Sequence, residues 1–67
     1  MNILLNGQPS HQSPGASIAD LVEIVCGPDA RGVAVARNGT VIRRGQWSKT
    51  LAEEGDEIEI LHATSGG

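Results

Sequence analysis

Apolar and polar positions fall into short blocks separated by turn residues, and the spacing changes once, from strand-like to helical and back. Met1 to Leu5 is a nearly continuous apolar run broken only by Asn2. It predicts a strand, central in its sheet and buried on both faces. Asn6-Gly7 follows, a strong hairpin signal because a type I′ turn needs positive φ at both central residues. Gln8 to Gln12 is therefore expected to return as an antiparallel strand. Pro9 cannot donate to a ladder and its neighbours are polar, so this strand belongs at an edge.

Ser13-Pro14-Gly15 breaks the pattern, and Ser17 opens a helix. Its hydroxyl can accept from a free backbone N–H, with Asp20 three residues on as in a capping box, where Glu or Gln is usual. Ile18, Leu21, Val22 and Val25 recur at i, i+3, i+4 and i+7, one apolar face. Gly27 supplies a left-handed cap and Pro28 cannot continue the helix. Cys26 stands at the helix C-terminal end, whose partial negative charge disfavours a thiolate, so it reads as a small buried hydrophobe.

Val33 to Arg37 predicts a third strand, Asn38-Gly39 a second hairpin and Thr40 to Arg43 a fourth strand. Trp47 to Ala52 is irregular or a single helical turn. Gly55-Asp56 is a turn, and Glu57-Ile58-Glu59-Ile60-Leu61 alternates charged and apolar residues as a half-buried strand does. The order is β-β-α-β-β-β. It implies an α+β fold, a mixed sheet of about five strands with one helix packed on one face. Ile18, Leu21, Val22 and Val25 should pack on Ile3, Leu5, Val33, Val35, Ile58 and Ile60 as one core. Residues 1–62 form the domain, and 63–67 a flexible polar tail ending in Gly-Gly.

Composition narrows the function. With 67 residues there is little room for both a core and an internal pocket, so function is expected on the surface or at an end. Trp47 is the sole aromatic residue and the core must be aliphatic; Trp47 itself suits a cover over a core corner or a partner contact. Net charge is -3, and Glu53, Glu54, Asp56, Glu57 and Glu59 supply five of the eight acids. That run suits a solvated face or a basic partner surface and argues against nucleic acid, which needs Lys and Arg clusters. One cysteine allows no intramolecular disulfide and points to a reducing, cytoplasmic setting. The first residues lack the basic region of a signal peptide, and no run reaches transmembrane length. There is no dinucleotide-binding glycine motif, P-loop or C-x-x-C pair, and His11 and His62 have no partners spaced for a metal.

Gly66-Gly67 is the sharpest feature. Two residues without Cβ make a thin segment that can enter a narrow channel where a side chain would clash. A carboxylate on Gly67 is unhindered and can attack the α-phosphate of ATP.

Three stretches and this ending together resemble the ThiS-type sulfur carriers of thiamine thiazole biosynthesis. Gly32-Val33-Ala34-Val35-Ala36-Arg37-Asn38-Gly39 resembles the family's "gvAVAxNg" hairpin, and Val41-Ile42-Arg43-Arg44-Gly45-Gln46-Trp47 its "VVPRxxW". Gly55-Asp56-Glu57-Ile58-Glu59-Ile60-Leu61 resembles "GDxIEIL". The resemblance covers the full length. Arg43 stands where the family usually has Pro, and His62-Ala63-Thr64-Ser65 is more polar than many tails.

The resemblance implies a ubiquitin-like β-grasp fold and a reaction cycle with no bound cofactor. A ThiF-like adenylating enzyme consumes ATP to activate the Gly67 carboxylate, a persulfide donor converts it to a thiocarboxylate, and a ThiG-like thiazole synthase takes the sulfur. Gly67 would carry the chemistry and Gly66 would give access to the channel, the protein being a co-substrate and not an enzyme. Leu61, Glu57 and Glu59 are expected on one side of the last strand, as part of the surface that meets the adenylating enzyme. Arg44, Trp47 and Ser65 are further candidates for partner contact. The small subunit of molybdopterin synthase, a ubiquitin-like modifier and a plain β-grasp interaction domain are alternatives with the same expected fold.

Overall fold

The computed structural model describes residues 1–63; the Gly66-Gly67 ending and Ser65 lie outside the described residues. The elements are β1 (Asn2–Leu5), β2 (Gln8–His11), α1 (Ile18–Cys26), β3 (Val33–Arg37), β4 (Thr40–Ile42), a 3₁₀ helix (Arg44–Lys49) and β5 (Glu57–His62). They form a five-stranded sheet in the order β2-β1-β5-β3-β4. The β1–β5 pair is parallel and the other three are antiparallel. This is the mixed α+β arrangement the sequence predicts, with the last strand at its centre.

Both Asn-Gly pairs make the expected turns, with φ of 52° and 80° at Asn6-Gly7 and 50° and 84° at Asn38-Gly39. Each asparagine also does something the turn signal does not announce. The Asn6 side-chain amide accepts from Ile60 N–H at 2.7 Å and donates to Ile60 C=O at 3.3 Å, so it acts as one more rung of the β1–β5 ladder. The Asn38 side chain accepts from Glu57 N–H at 2.9 Å. Both hairpins are thereby tied to the central strand.

The capping box forms with Asp at its third position: Ser17 N–H donates to Asp20 Oδ2 at 2.9 Å, and Asp20 N–H donates to Ser17 Oγ at 3.1 Å. At the other end Gly27 N–H donates to Glu23 C=O. Gly27 has φ 76° and ψ −161°, which corrects the expected left-handed cap: the chain leaves the helix extended.

One face of the sheet carries α1. The core is Ile3, Ile18, Leu21, Val22, Val35, Trp47, Ala52, Ile58 and Ile60, with Leu5, Val33 and Cys26 partly buried against it. Several expectations need correction. Val25 is 41% exposed: Ile18, Leu21 and Val22 form the buried face of the helix, and in its last turn Cys26 rather than Val25 packs partly against the core. β1 is not buried on both faces: Ile3 points to the helix, and Leu4 lies exposed on the side no helix covers. β4 ends at Ile42 rather than Arg43. The helical turn allowed for Trp47 to Ala52 is a 3₁₀ helix that starts earlier, at Arg44, and ends at Lys49; the Trp47 indole N–H donates to Ile42 C=O at 2.9 Å, fixing that helix close behind β4. β5 runs one residue further than expected, to His62. Among the described residues no helix is long and apolar enough to cross a membrane.

Leu21 is fully enclosed between helix and sheet. Leu21→Ala should therefore cost about 2–5 kcal/mol, read as a lower denaturant midpoint. In so small a domain that is a large share of the total, and a change near zero would show that the helix presents another face.

Candidate functional site

β5 alternates. Ile58 and Ile60 point into the core, while Glu57, Glu59 and Leu61 point to the uncovered face. The register then decides what surrounds them. Leu61 pairs with Ala34 on β3, Glu59 pairs with Ala36, and Ala36 pairs on its other side with Val41 of β4. The two alanines are too small to fill the space between Leu61 and Val41. The result is a shallow, mostly apolar depression lined by Ala34, Val35, Ala36, Val41, Glu59 and Leu61. Leu61 is 66% and Val41 72% exposed, a high exposure for two large apolar side chains facing one hollow.

Among the described residues, Glu57 and Glu59 form no ion pair, so their charge stands free beside the hollow. The expected grouping of Leu61, Glu57 and Glu59 on one face is what the structure shows. Val41, Ala34 and Ala36 were not singled out from the sequence; the alternation within Val33–Arg37 carries the signal, but their meeting with Leu61 depends on cross-strand register.

Arg44 and Trp47 do not join this face. Trp47 is 6% exposed and sits in the core beneath the helix, since an aliphatic core this small uses the one large ring available. Arg44 lies exposed with its guanidinium 5.1 Å from the centre of that ring, and donates to Ala30 C=O.

The entry to β5 is fixed by a charged hub. Asp56 is buried, and its carboxylate accepts from Arg37 Nε at 2.8 Å, Asn38 Nδ2 at 3.0 Å and Glu53 N–H at 2.8 Å. Arg37 reaches Glu53 as well, at 3.4 Å. Burial by itself pushes the Asp56 carboxyl up; the bonds from Glu53, Asn38 and Arg37, with the Arg37 charge, outweigh it and hold the group below its ordinary value. So the acidic run divides: Asp56 is internal structure, and Glu57 and Glu59 are surface charge. Among the described residues no three His, Cys, Asp or Glu side chains converge as a metal site.

A family model described as the ThiS family matches residues 3–67. The sulfur carrier protein ThiS of Escherichia coli is 31% identical over 67 residues, covering all of both chains. A thiazole synthase of Magnetococcus marinus is 36% identical over 67 residues, which are all of this chain but 20% of that protein. The chain thus spans about a fifth of that relative's length. The crystal structure of a thiamine biosynthesis protein (ThiS) from Geobacter metallireducens superposes with a TM-score of 0.81 at 30% identity, covering all of both chains.

The Asp56 hub predicts a pH dependence. Because its folded pKa is depressed, its contribution is complete above the ordinary Asp range and is lost as pH falls through the folded value. Wild-type melting temperature should fall on acidification below about pH 4, and Asp56→Asn should be less stable at pH 7 by about 1–3 kcal/mol with a flatter acid limb. Parallel acid limbs for the two proteins would show that Asp56 is not the titrating group.

Proposed function

The chain belongs to the ThiS family, and from that footing we propose that it carries sulfur for thiamine thiazole formation on the carboxyl group of Gly67. The observation that carries the reading is continuity: the family match runs through Gly67, and β5, the strand at the centre of the sheet, is the last element before that ending in the sequence.

The chemistry follows from the group available. A carboxylate is a poor electrophile. Attack of its oxygen on the α-phosphate of ATP releases pyrophosphate and leaves an acyl adenylate, in which AMP is a good leaving group. The terminal sulfur of a persulfide displaces AMP, and cleavage of the resulting S–S bond by a thiol leaves a thiocarboxylate. That sulfur is a strong nucleophile and can pass to an acceptor. The protein supplies no catalytic group to these steps; it is a co-substrate for a ThiF-like adenylating enzyme and a thiazole synthase. The likeness to a fifth of a thiazole synthase supports the second partner, since there a region like this chain is joined to the rest of such a protein. A reducing compartment, in keeping with the single free Cys26, preserves both thiol and thiocarboxylate.

The hollow between Leu61 and Val41, with Glu57 and Glu59 beside it, is the proposed surface for the adenylating enzyme. The acids speed encounter with a basic partner, and the apolar pair holds the complex once water is expelled. It lies near the end of β5, so docking there brings the last residues within reach of an active site. Gly66 has its role through lacking a side chain, and Ser65, which precedes it in the sequence, is a further proposed partner contact.

Two outcomes test this. Leu61→Ala should weaken binding to the adenylating enzyme at all salt concentrations, and Glu59→Lys should slow association chiefly at low salt; unchanged affinity and salt dependence in both would remove the docking face. Deleting Gly67, or adding one residue after it, should abolish pyrophosphate release with ATP while leaving the melting temperature as it was. Restored thiazole formation in a thiamine auxotroph by the protein lacking Gly67 would refute the carrier reading.

A further inference from the structure

The last residues can react at a defined place only if the body of the protein fixes where they begin. β5 makes its final strand pair at His62 with Val33. One bond follows: Ala63 N–H donates to Gly32 C=O at 2.9 Å. It is the last backbone bond of the described chain, four residues before Gly67.

Gly32 is unlike the other described glycines. Gly7, Gly15, Gly27, Gly39 and Gly55 also have positive φ, but a Cβ added to any of them would meet nothing within 4 Å. They serve turns. At Gly32, with φ +71°, an added Cβ would stand 3.3 Å from the Ala63 carbonyl oxygen and 3.5 Å from its Cβ. The backbone of Gly32 and the end of β5 are in close approach, and a side chain there would press on Ala63. The segment bearing Gly32 is itself held: Val33 N–H donates to Ala30 C=O at 3.3 Å, and the Arg44 guanidinium, stacked over the core residue Trp47, donates to the same carbonyl. A line of contacts therefore runs from the core through Trp47, Arg44 and Ala30 to Gly32 and Ala63.

We propose that Gly32 is a positioning residue for the chemistry at Gly67, a latch that fixes the point from which the last four residues depart. It rests on the proposed function, since positioning matters only if Gly67 reacts. The arithmetic shows why it would matter. Four residues span at most about 14 Å, so with the latch closed the reactive carboxyl stays within that reach of a fixed Ala63. Releasing Ala63 and then His62 lengthens the free segment by about 3.5 Å per residue and multiplies the positions the carboxyl can take. Docking through the Leu61 and Val41 hollow is untouched, because Gly32 is not among the residues lining it. The loss should fall on the rate of the bound complex rather than on its affinity.

Amide hydrogen exchange and steady-state kinetics together test this, with the full chain, its adenylating enzyme and ATP, reading pyrophosphate release. In the wild type the Ala63 amide should be protected. Gly32→Ala should remove that protection while Val35 and Ile60 amides keep theirs, and should lower kcat about tenfold with KM for the carrier nearly unchanged. Ala63→Pro, which removes the donor and leaves Gly32 alone, should give the same kcat defect. Gly7→Ala is the control for backbone strain at positive φ: it sits in the β1–β2 hairpin and should destabilise without lowering kcat. An unprotected Ala63 amide in the wild type overturns the latch. So do wild-type kcat values in both Gly32→Ala and Ala63→Pro, or an equal kcat loss in Gly7→Ala. A wild type that takes no adenylate at all overturns the proposed function, and the positioning role with it.

Discussion

The structure depends on the placing of the last strand at the centre of the sheet. β5 pairs with β1 in parallel on one side and with β3 antiparallel on the other, so neither half of the sheet is joined to the other without it. Because one helix covers one face, each step along β5 alternates between core and solvent. Ile58 and Ile60 close the interior; Glu57, Glu59 and Leu61 face outward. A single period-2 segment thus packs the core on one side and presents an apolar and acidic surface on the other. The helix makes this division possible by covering only one face.

Much of this was legible in the sequence, and the failures have physical reasons. The Asn-Gly turns and the Ser17–Asp20 box are local signals whose geometry depends on few residues, and both appear as expected. The alternation of Glu57 to Leu61 placed Glu57, Glu59 and Leu61 correctly on one face. What was missed depends on contacts between distant segments. An apolar run such as Met1 to Leu5 fits a strand buried on one face or on two, and only the position of the helix decides. Val25 fits the helical spacing, yet in the last turn it is Cys26 that packs against the core. Asp56 reads as one acid in a run of acids until Arg37 and Asn38 are seen to converge on it. Ala34, Ala36 and Val41 carry no chemistry by themselves; register turns them into the floor and wall of a hollow. Gly66 and Gly67 were legible only as sequence and family likeness, because they lie outside the described residues.

The two asparagines show how a small domain economises. Asn6 and Asn38 each occupy a positive-φ position and also bond β5 with their side chains. Asn-Gly signals in the sequence thus mark the turns and, unannounced, the clamps on the central strand. Such double use ties both hairpins to the strand that holds the sheet together.

The central claim is that Gly67 is the atom-bearing site, and the intact mass of the protein tests it most directly. After incubation with its adenylating enzyme, ATP and a persulfide donor, the account predicts a gain equal to the difference between one sulfur and one oxygen atom, with fragmentation placing it on Gly67. With a thiol present and thiazole synthase left out, so that the sulfur is not passed on, a protein whose mass stays unchanged, or one whose added sulfur resides on Cys26, would contradict it.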